Sequence, residues 1–307
     1  MFKFFRLLFL VLFFSSLHSA EVEKFLKKPK EKKENHSIRN IDFLYVLNLD
    51  KRPEKFAHCL NEFAPYEIIP YRFSAVNGWE IPIEELMGLG VTYKKGMNEE
   101  IWGTSYDAQH GELPVHEVIS QVGKSYFSHC MARGAVGIVL SHLSILQDAY
   151  DSGYETIWVM EDDIQIIRNP HLMSDLVEKL DHTVGKNHWD ILFTDRDTKN
   201  QKGEYVPCTA YAKRPNFTPK NPERFAQAKP VGAFRKIGAR YGAYSMIVRR
   251  SGMKKILDFI KKHKVFLPYD MEFYLPNDIH LYTVNKDVVS TLPNALSDNG
   301  APNYKTK

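Results

Sequence analysis

Two hydrophobic rhythms alternate along the chain. "IDFLYVLNLD" (41–50) is a nearly continuous apolar run of strand length and predicts a buried strand opening a domain. In "RPEKFAHCLNEF", Phe56, Leu60 and Phe63 recur at helical spacing behind Pro53, a residue favoured at helix starts. "YEIIPYRFSAVNG" (66–78) predicts a second strand that ends in a turn at Asn77-Gly78. The opening is therefore β-α-β, the unit of a parallel sheet. "GAVGIVLSHLSILQDAYDSG" (134–153) predicts a long helix with a wide apolar face, and Gly153 suits its C-terminal cap. A buried strand follows at 154–160, then a helix at 173–180 and strands at 188–195 and 242–250. Ser251 is placed to cap a further amphipathic helix, and "IHLYTV" predicts a last strand. Residues 79–130 have no clear period and predict loops and short helices; the polar, Pro-rich stretch 196–230 predicts a long mobile loop. The expectation is one α/β domain over 41–293, with a mostly parallel central sheet flanked by helices, an irregular C-terminal third, and an extended tail over 294–307.

Charge narrows the function classes. Residues 1–34 carry four more basic than acidic side chains, which equals the net charge of +4, so the remainder is formally neutral. A neutral domain argues against nucleic acid as a partner. The first 20 residues place Lys3 and Arg6 before the apolar run Leu7–Phe14, the layout of a signal peptide. The run is shorter than the ~18 residues that span a bilayer, and His18 departs from a good cleavage site. A membrane tether is the alternative. Either places the chain in a secretory pathway or at a membrane surface. Residues 21–40 are rich in Lys and Glu and read as a solvated linker. The three cysteines, Cys59, Cys130 and Cys208, form no CxxC pair, which argues against a metal–thiolate site.

The candidate chemistry lies in "YETIWVMEDDIQI", where Glu161, Asp162 and Asp163 directly follow a buried strand. Three adjacent acids repel one another unless a cation or strong donors offset them. In extended backbone Glu161 and Asp163 share a side and Asp162 faces away. Hard oxygen donors suit Mg²⁺ or Mn²⁺ beside substrate phosphates, whereas an acidic turn capping the next element is the bland alternative. Ligands of open α/β sheets bind at the carboxyl ends of strands, where this triplet falls.

"LSHLSILQDAYDSGYETIWVMEDDI" resembles the core segment of glycosyltransferase family 25, which comprises lipopolysaccharide-type sugar transferases and the collagen galactosyltransferases. Other pieces match in order: "VLNLDKRPEKF", "FSAVNG", "WDILFTD", "GAYSMIVRRSGMKKIL" and "YDMEFYL". The resemblance implies a GT-A-like fold, a nucleotide-sugar donor, commonly UDP-linked, and a divalent metal, Mn²⁺ or Mg²⁺. It also implies inverting transfer of a hexose to a hydroxyl of a glycan, glycolipid or glycoprotein acceptor.

Under that resemblance Asp163 is the first metal ligand, with Glu161 a second ligand or a donor contact and Asp162 turned to the scaffold. Asn48, Asp50 and Arg52 would contact the nucleotide, and Asn77-Gly78 would let backbone approach the base. Ordinary surface and turn roles are the alternatives at Arg52 and Asn77-Gly78. Asp270 is the expected general base, with Glu272 beside it and Asp195 and Asp197 as alternatives. Ser141 and His142 read as core residues of an apolar helix, or as groups orienting the carboxylates; His280 is a weak candidate for the metal shell. A catalytically silent, secreted carbohydrate-binding relative of the same fold is the competing function.

Overall fold

In a computed structural model of the chain, residues 22–29, 31–32, 38–107 and 113–292 are described. The leader expected over 1–20 and the tail expected over 294–307 lie outside them. Among the described residues no helix is long and apolar enough to cross a membrane.

The chain opens with β1 (Phe43–Asn48), α1 (Pro53–Phe63) and β2 (Tyr71–Ser74), as the hydrophobic pattern predicts. Helix α2 (Ile83–Leu89) and strands β3 (Val91–Thr92), β4 (Trp102–Tyr106), β5 (Pro114–Val118) and β6 (Ser125–Ser128) follow. Then come α3 (Arg133–Asp151), β7 (Thr156–Glu161), β8 (Ile164–Ile166), α4 (Leu172–Val184) and β9 (Ile191–Phe193). The last third holds β10 (Ala228–Val231), β11 (Phe234–Ile237), β12 (Ser245–Arg249), α5 (Arg250–His263), the short α6 (Tyr269–Glu272), β13 (Leu281–Val284) and β14 (Val289–Thr291).

Eight strands form the central sheet in the order β10-β11-β13-β9-β12-β7-β1-β2. Strand residues alternate between its two faces. Phe43, Tyr45, Leu47, Ile157 and Val159 pack with α3 and α5, while Leu44, Val46, Trp158 and Met160 pack with α1 and α4. Burial on both faces explains why β1 and β7 read as unbroken apolar runs rather than alternating ones.

Three expectations are corrected. The central sheet is mixed rather than mostly parallel: β12 runs antiparallel between β7 and β9, and β11 pairs antiparallel with both β10 and β13. A fully buried antiparallel strand reads like a parallel one, so direction was not in the pattern. Residues 79–130, expected as loops and short helices, contain a second sheet in the order β3-β6-β4-β5. Its strands are two to five residues long and one of them, "WGTSY", is largely small and polar, which removes the period-two signal. The stretch 196–230 is tied down by the wholly buried Arg214 and by the 3₁₀ turn Pro222–Ala226.

The stretch expected as a solvated linker also departs from expectation, because its described part docks on the domain. Val22 is buried in the core, and Phe25 and Leu26 pack against it.

Helix α3 meets the turn after β2 through glycines on both sides. A Cβ on Gly137 would stand 2.6 Å from the Gly78 nitrogen and 2.6 Å from the Val76 carbonyl oxygen, and one on Gly78 would stand 2.0 Å from the Arg133 carbonyl oxygen. Alanine is intrinsically the better helix former by about 1 kcal/mol. Even so, Gly137→Ala is expected to destabilise by roughly 1–3 kcal/mol, because the obstructing atoms are backbone. A urea midpoint at or above the wild-type value would show that the close approach is dispensable.

Candidate functional site

The register of the central strands builds the site. Leu47 of β1 lies opposite Glu161 of β7, and Asn48 lies opposite Ser74 of β2. The carboxyl ends of three parallel strands therefore meet at one edge. A cleft of about 200 Å³ opens there between the loop after β1, the turn after β2, the first half of α3 and the acidic triplet. Its walls include Lys51, Lys55, Asn77, Gly78, Trp79, Ser141, Glu161, Asp162 and Asp163.

The triplet does not keep the alternation of a strand, because β7 ends at Glu161 and a turn begins at Asp162. All three acids line the cleft. Asp162 accepts from Asn48 Nδ2 at 2.7 Å and lies 3.8 Å from the Lys55 ammonium. Asp163 anchors the turn through its carbonyl, which accepts from the Leu292 N–H at 2.9 Å. Burial, and then the charges of Asp162 and Asp163, push the thiol of Cys59, on the buried face of α1, up to about 12. These two acids thus lie over the α1 side. Glu161, lining the same cleft, is also in contact with α3, with His142 Nε2 at 3.2 Å from Oε1. A carboxylate only accepts, so that contact requires the proton on Nε2.

His142 is fully buried and stacks on Tyr269, with ring centroids 4.0 Å apart and planes 7° from parallel. This unites its two readings, since a core residue also orients Glu161. Ser141 is spent on backbone: it donates to the Gly137 carbonyl at 2.6 Å and accepts from the Val76 N–H at 2.8 Å.

Asp270, half-buried on α6, stands next to Tyr269 and accepts from the Gly242 N–H at 3.1 Å. Gly242 has φ +74°, a conformation that glycine tolerates. Burial pushes the Asp270 carboxyl up to about 6; the Glu161 charge adds to this, while the Gly242 N–H and His142 oppose it. The arrangement therefore sets two carboxylates beside one imidazole, one of them poised to titrate near neutrality.

Several expected site residues lie elsewhere. Glu272 is wholly buried, with both oxygens held by the Arg214 guanidinium and one also accepting the Phe266 and Leu267 N–H groups at 3.0 and 2.7 Å. A helix of four residues turns Asp270 outward and Glu272 into the core. Asp195 is likewise buried, bound to Arg240, Tyr244 and Ser290. Asp197 lies 3.8 Å from both Arg235 and Arg240. His280 precedes β13 and its carbonyl accepts from Asp190 before β9. Strands β9 and β13 run parallel to β7, so His280 sits at the sheet edge opposite Glu161.

Asp50 and Arg52 line the rim rather than the cleft. The Ser74 hydroxyl, aided by Arg72, holds the Asp50 carboxyl below the usual range, and Arg52 Nε pairs with Glu54 at 2.5 Å. Asn48 lies beneath the cleft as a bridge, accepting from Arg72 Nε at 2.7 Å and donating to Asp162. Asn77 accepts the Trp79 N–H at 3.2 Å, and Gly78 exists for the approach of α3. Lys51, Lys55 and Trp79 were missed by sequence reasoning. Their signal was position alone: Lys51 and Trp79 immediately follow a strand end and a turn that were already singled out, and Lys55 lies in the first turn of α1.

Among the described residues no group of three or more His, Cys, Asp or Glu side chains is arranged to hold a metal by itself. The donor set still fits a hard cation that takes one or two carboxylates and completes its shell from phosphate and water.

A mixed α/β sheet flanked by helices, with an acidic cleft at its strand ends, is the architecture of a GT-A-like glycosyltransferase. The model of "Glycosyltransferase family 25 (LPS biosynthesis protein)" matches residues 41–273, and the chain belongs to that family. Similar curated proteins include a Drosophila melanogaster "Glycosyltransferase 25 family member", 23% identical over 58% of this chain and 24% of its own length. An "Inactive glycosyltransferase 25 family member 3" of Mus musculus is 26% identical over 55% of this chain and 24% of its own length. The Homo sapiens protein of the same description is 25% identical over 61% and 26%. The chain thus spans about a quarter of the length of these relatives.

The burial of Glu272 against Arg214 makes a stability prediction. Glu272→Ala leaves a buried guanidinium uncompensated and is expected to cost about 3–5 kcal/mol in chemical denaturation. A loss of activity at unchanged stability would instead restore Glu272 to the chemistry.

Proposed function

We propose that the chain transfers a hexose from a nucleotide diphosphate sugar, UDP-linked, to a hydroxyl of a glycan, glycolipid or glycoprotein acceptor, with inversion. The observation that carries this reading is the cleft itself: three carboxylates and two lysines, Lys51 and Lys55, line it, Lys55 lies 3.8 Å from Asp162, and the charge of Glu161 reaches Asp270. Lys51 and Lys55 suit the phosphates, and Trp79 with the backbone of Asn77-Gly78 suits the nucleoside. Asp163 and Glu161 would hold Mn²⁺ or Mg²⁺. When bound, such a cation offsets the negative charge that develops on the departing diphosphate.

An inverting transfer also needs a base for the acceptor hydroxyl, positioned in line with the leaving group. Asp270 fits on two counts. It is near enough to Glu161 and His142 to feel both charges, and its raised pKa gives a carboxylate basic enough to accept a proton near neutrality. His142 holds Glu161 and Tyr269 holds His142, which keeps the two carboxylates in fixed relation. Residues 1–20 would deliver the enzyme to a secretory compartment or a membrane face.

A second reading, a carbohydrate-binding relative without turnover, is favoured by the relatives described as inactive. The two separate on turnover. Incubation with a panel of nucleotide sugars and Mn²⁺ is expected to release nucleoside diphosphate, and Asp163→Ala is expected to abolish it. Glycan binding with no release from any donor would favour the silent relative.

The titration of Asp270 gives a pH test with two readouts. As a base it must be ionised, so kcat/KM is expected to rise with pH through about 6. Asp270→Asn is expected to lose that limb and roughly 10²–10⁴ in rate. Stability moves the other way. The folded pKa lies above the ordinary 3.8, so this group favours the fold below that value and loses its contribution as pH rises through about 6. Asp270→Asn is therefore expected to melt higher than wild type above about pH 7 despite its loss of rate. A variant that keeps the acid limb would remove Asp270 from the base role.

A further inference from the structure

The family match begins at residue 41, yet one wall of the cleft is tied to residues that precede it. Residues 22–29 and 31–32 lie across the β1–β2 edge and α3, anchored at both ends. At one end Val22 is buried in the core, and Lys24 pairs with Glu85 at 2.7 Å. At the other, the Lys32 ammonium faces the rings of Phe43, Tyr45 and Tyr154 at 5.3, 5.7 and 4.9 Å and pairs with Asp148. A cation held by a carboxylate and three aromatic faces is a firm attachment for an otherwise polar segment.

Lys27 lies between these anchors and reaches toward the site. Its backbone N–H donates to Ser144 Oγ at 2.9 Å on α3. Its ammonium donates to Ser74 Oγ at 3.0 Å and to the Ala75 carbonyl at 2.7 Å. Ala75 is itself a wall of the cleft. From Ser74 the hydrogen bonds continue without a break. Ser74 donates to Asp50 at 2.8 Å, Arg72 donates to Asp50 at 2.8 Å and to Asn48 at 2.7 Å, and Asn48 donates to Asp162 at 2.7 Å. One end of this line is a lysine outside the matched domain; the other is a carboxylate of the acidic triplet. Ser74 is the group that joins Lys27 to this line, so a loose end at Lys27 would free the Ser74 hydroxyl and leave Asp50 held by Arg72 alone.

We propose that residues 22–29 and 31–32 form a strap that completes the donor cleft, with Lys27 as its positioning residue. Lys27 fixes the carboxyl end of β2 and, through Ser74, Asp50, Arg72 and Asn48, holds Asp162 in place. It touches no reacting atom and sets the affinity for the donor nucleotide rather than the rate of chemistry. The strap rests on the reading that the cleft takes a nucleotide diphosphate.

The test uses the full chain carrying Lys27→Met, which keeps the apolar stem but removes the donors, and Lys27→Arg, which restores charge and donors. UDP binding with Mn²⁺ is measured by calorimetry, together with donor KM and kcat. Amide exchange is followed over residues 75–79. Loss of a charge-assisted hydrogen-bonded anchor is expected to weaken UDP binding about tenfold in Lys27→Met. Donor KM should rise with little change in kcat, exchange over 75–79 should accelerate, and Lys27→Arg should recover most of the affinity. A lowered melting temperature with wild-type UDP affinity would overturn the proposal, leaving the strap as a stabilising contact only. Failure of the wild-type chain to bind UDP would overturn the proposed function instead. In that event the exchange data decide the strap: unchanged exchange in Lys27→Met overturns it, and faster exchange upholds the positioning of β2.

Discussion

Three consecutive carboxylates at the end of a buried strand are the constraint that the surrounding elements answer. Two unit charges 4 Å apart near a protein surface interact by about 4 kcal/mol. The chain meets this by dividing the acids among different partners. The strand stops at Glu161, and the turn swings Asp162 and Asp163 toward α1 while Glu161 stays toward α3 and α6. Parallel register brings Asn48 beneath Asp162, α1 brings Lys55, and α3 brings the buried His142 to Glu161. Each of these groups needs its own element at a fixed height on the sheet. The cleft is what remains open between them, and its walls are set by the close glycine contacts of α3 with the turn after β2.

Burial then differentiates side chains that look alike in sequence. Asp270 and Glu272 are two residues apart in "PYDMEFYL", but the short helix α6 points them to different environments. Glu272 becomes half of a buried ion pair with Arg214, whereas Asp270 keeps one backbone donor, a raised pKa and a place beside Glu161. Asp195 follows the first pattern with Arg240 as its partner. Glu272 and Asp195 are therefore structural, each closed over by an arginine, whereas Asp270 has no arginine among its contacts with the described residues.

Much of the scaffold was legible in the hydrophobic pattern. β1, α1, α3, β7 and α5 were read from apolar spacing because each buries a long, continuous face. Strand direction was not legible, since β12 is buried on both sides and carries no trace of its antiparallel pairing. The small sheet was hidden because strands such as Trp102–Tyr106 are short and rich in small polar residues. At the site, the acidic triplet and Asp270 stood out by position. The pattern did not show that Glu272 and Asp195 lie under Arg214 and Arg240, or that His280 lies at the opposite sheet edge. Lys27 was hidden for another reason: it sits in a stretch whose composition is that of a solvated linker, and only its contacts with Ser74 and Ala75 reveal the docking.

The proposed function requires the acidic cleft to hold a metal–nucleotide diphosphate. Calorimetric titration of UDP into the full-length chain, with Mn²⁺ and then with the metal chelated, tests it most directly. One saturable site, present with Mn²⁺ and lost on chelation, is expected. Binding of equal strength in both conditions, or no binding in either, would contradict it.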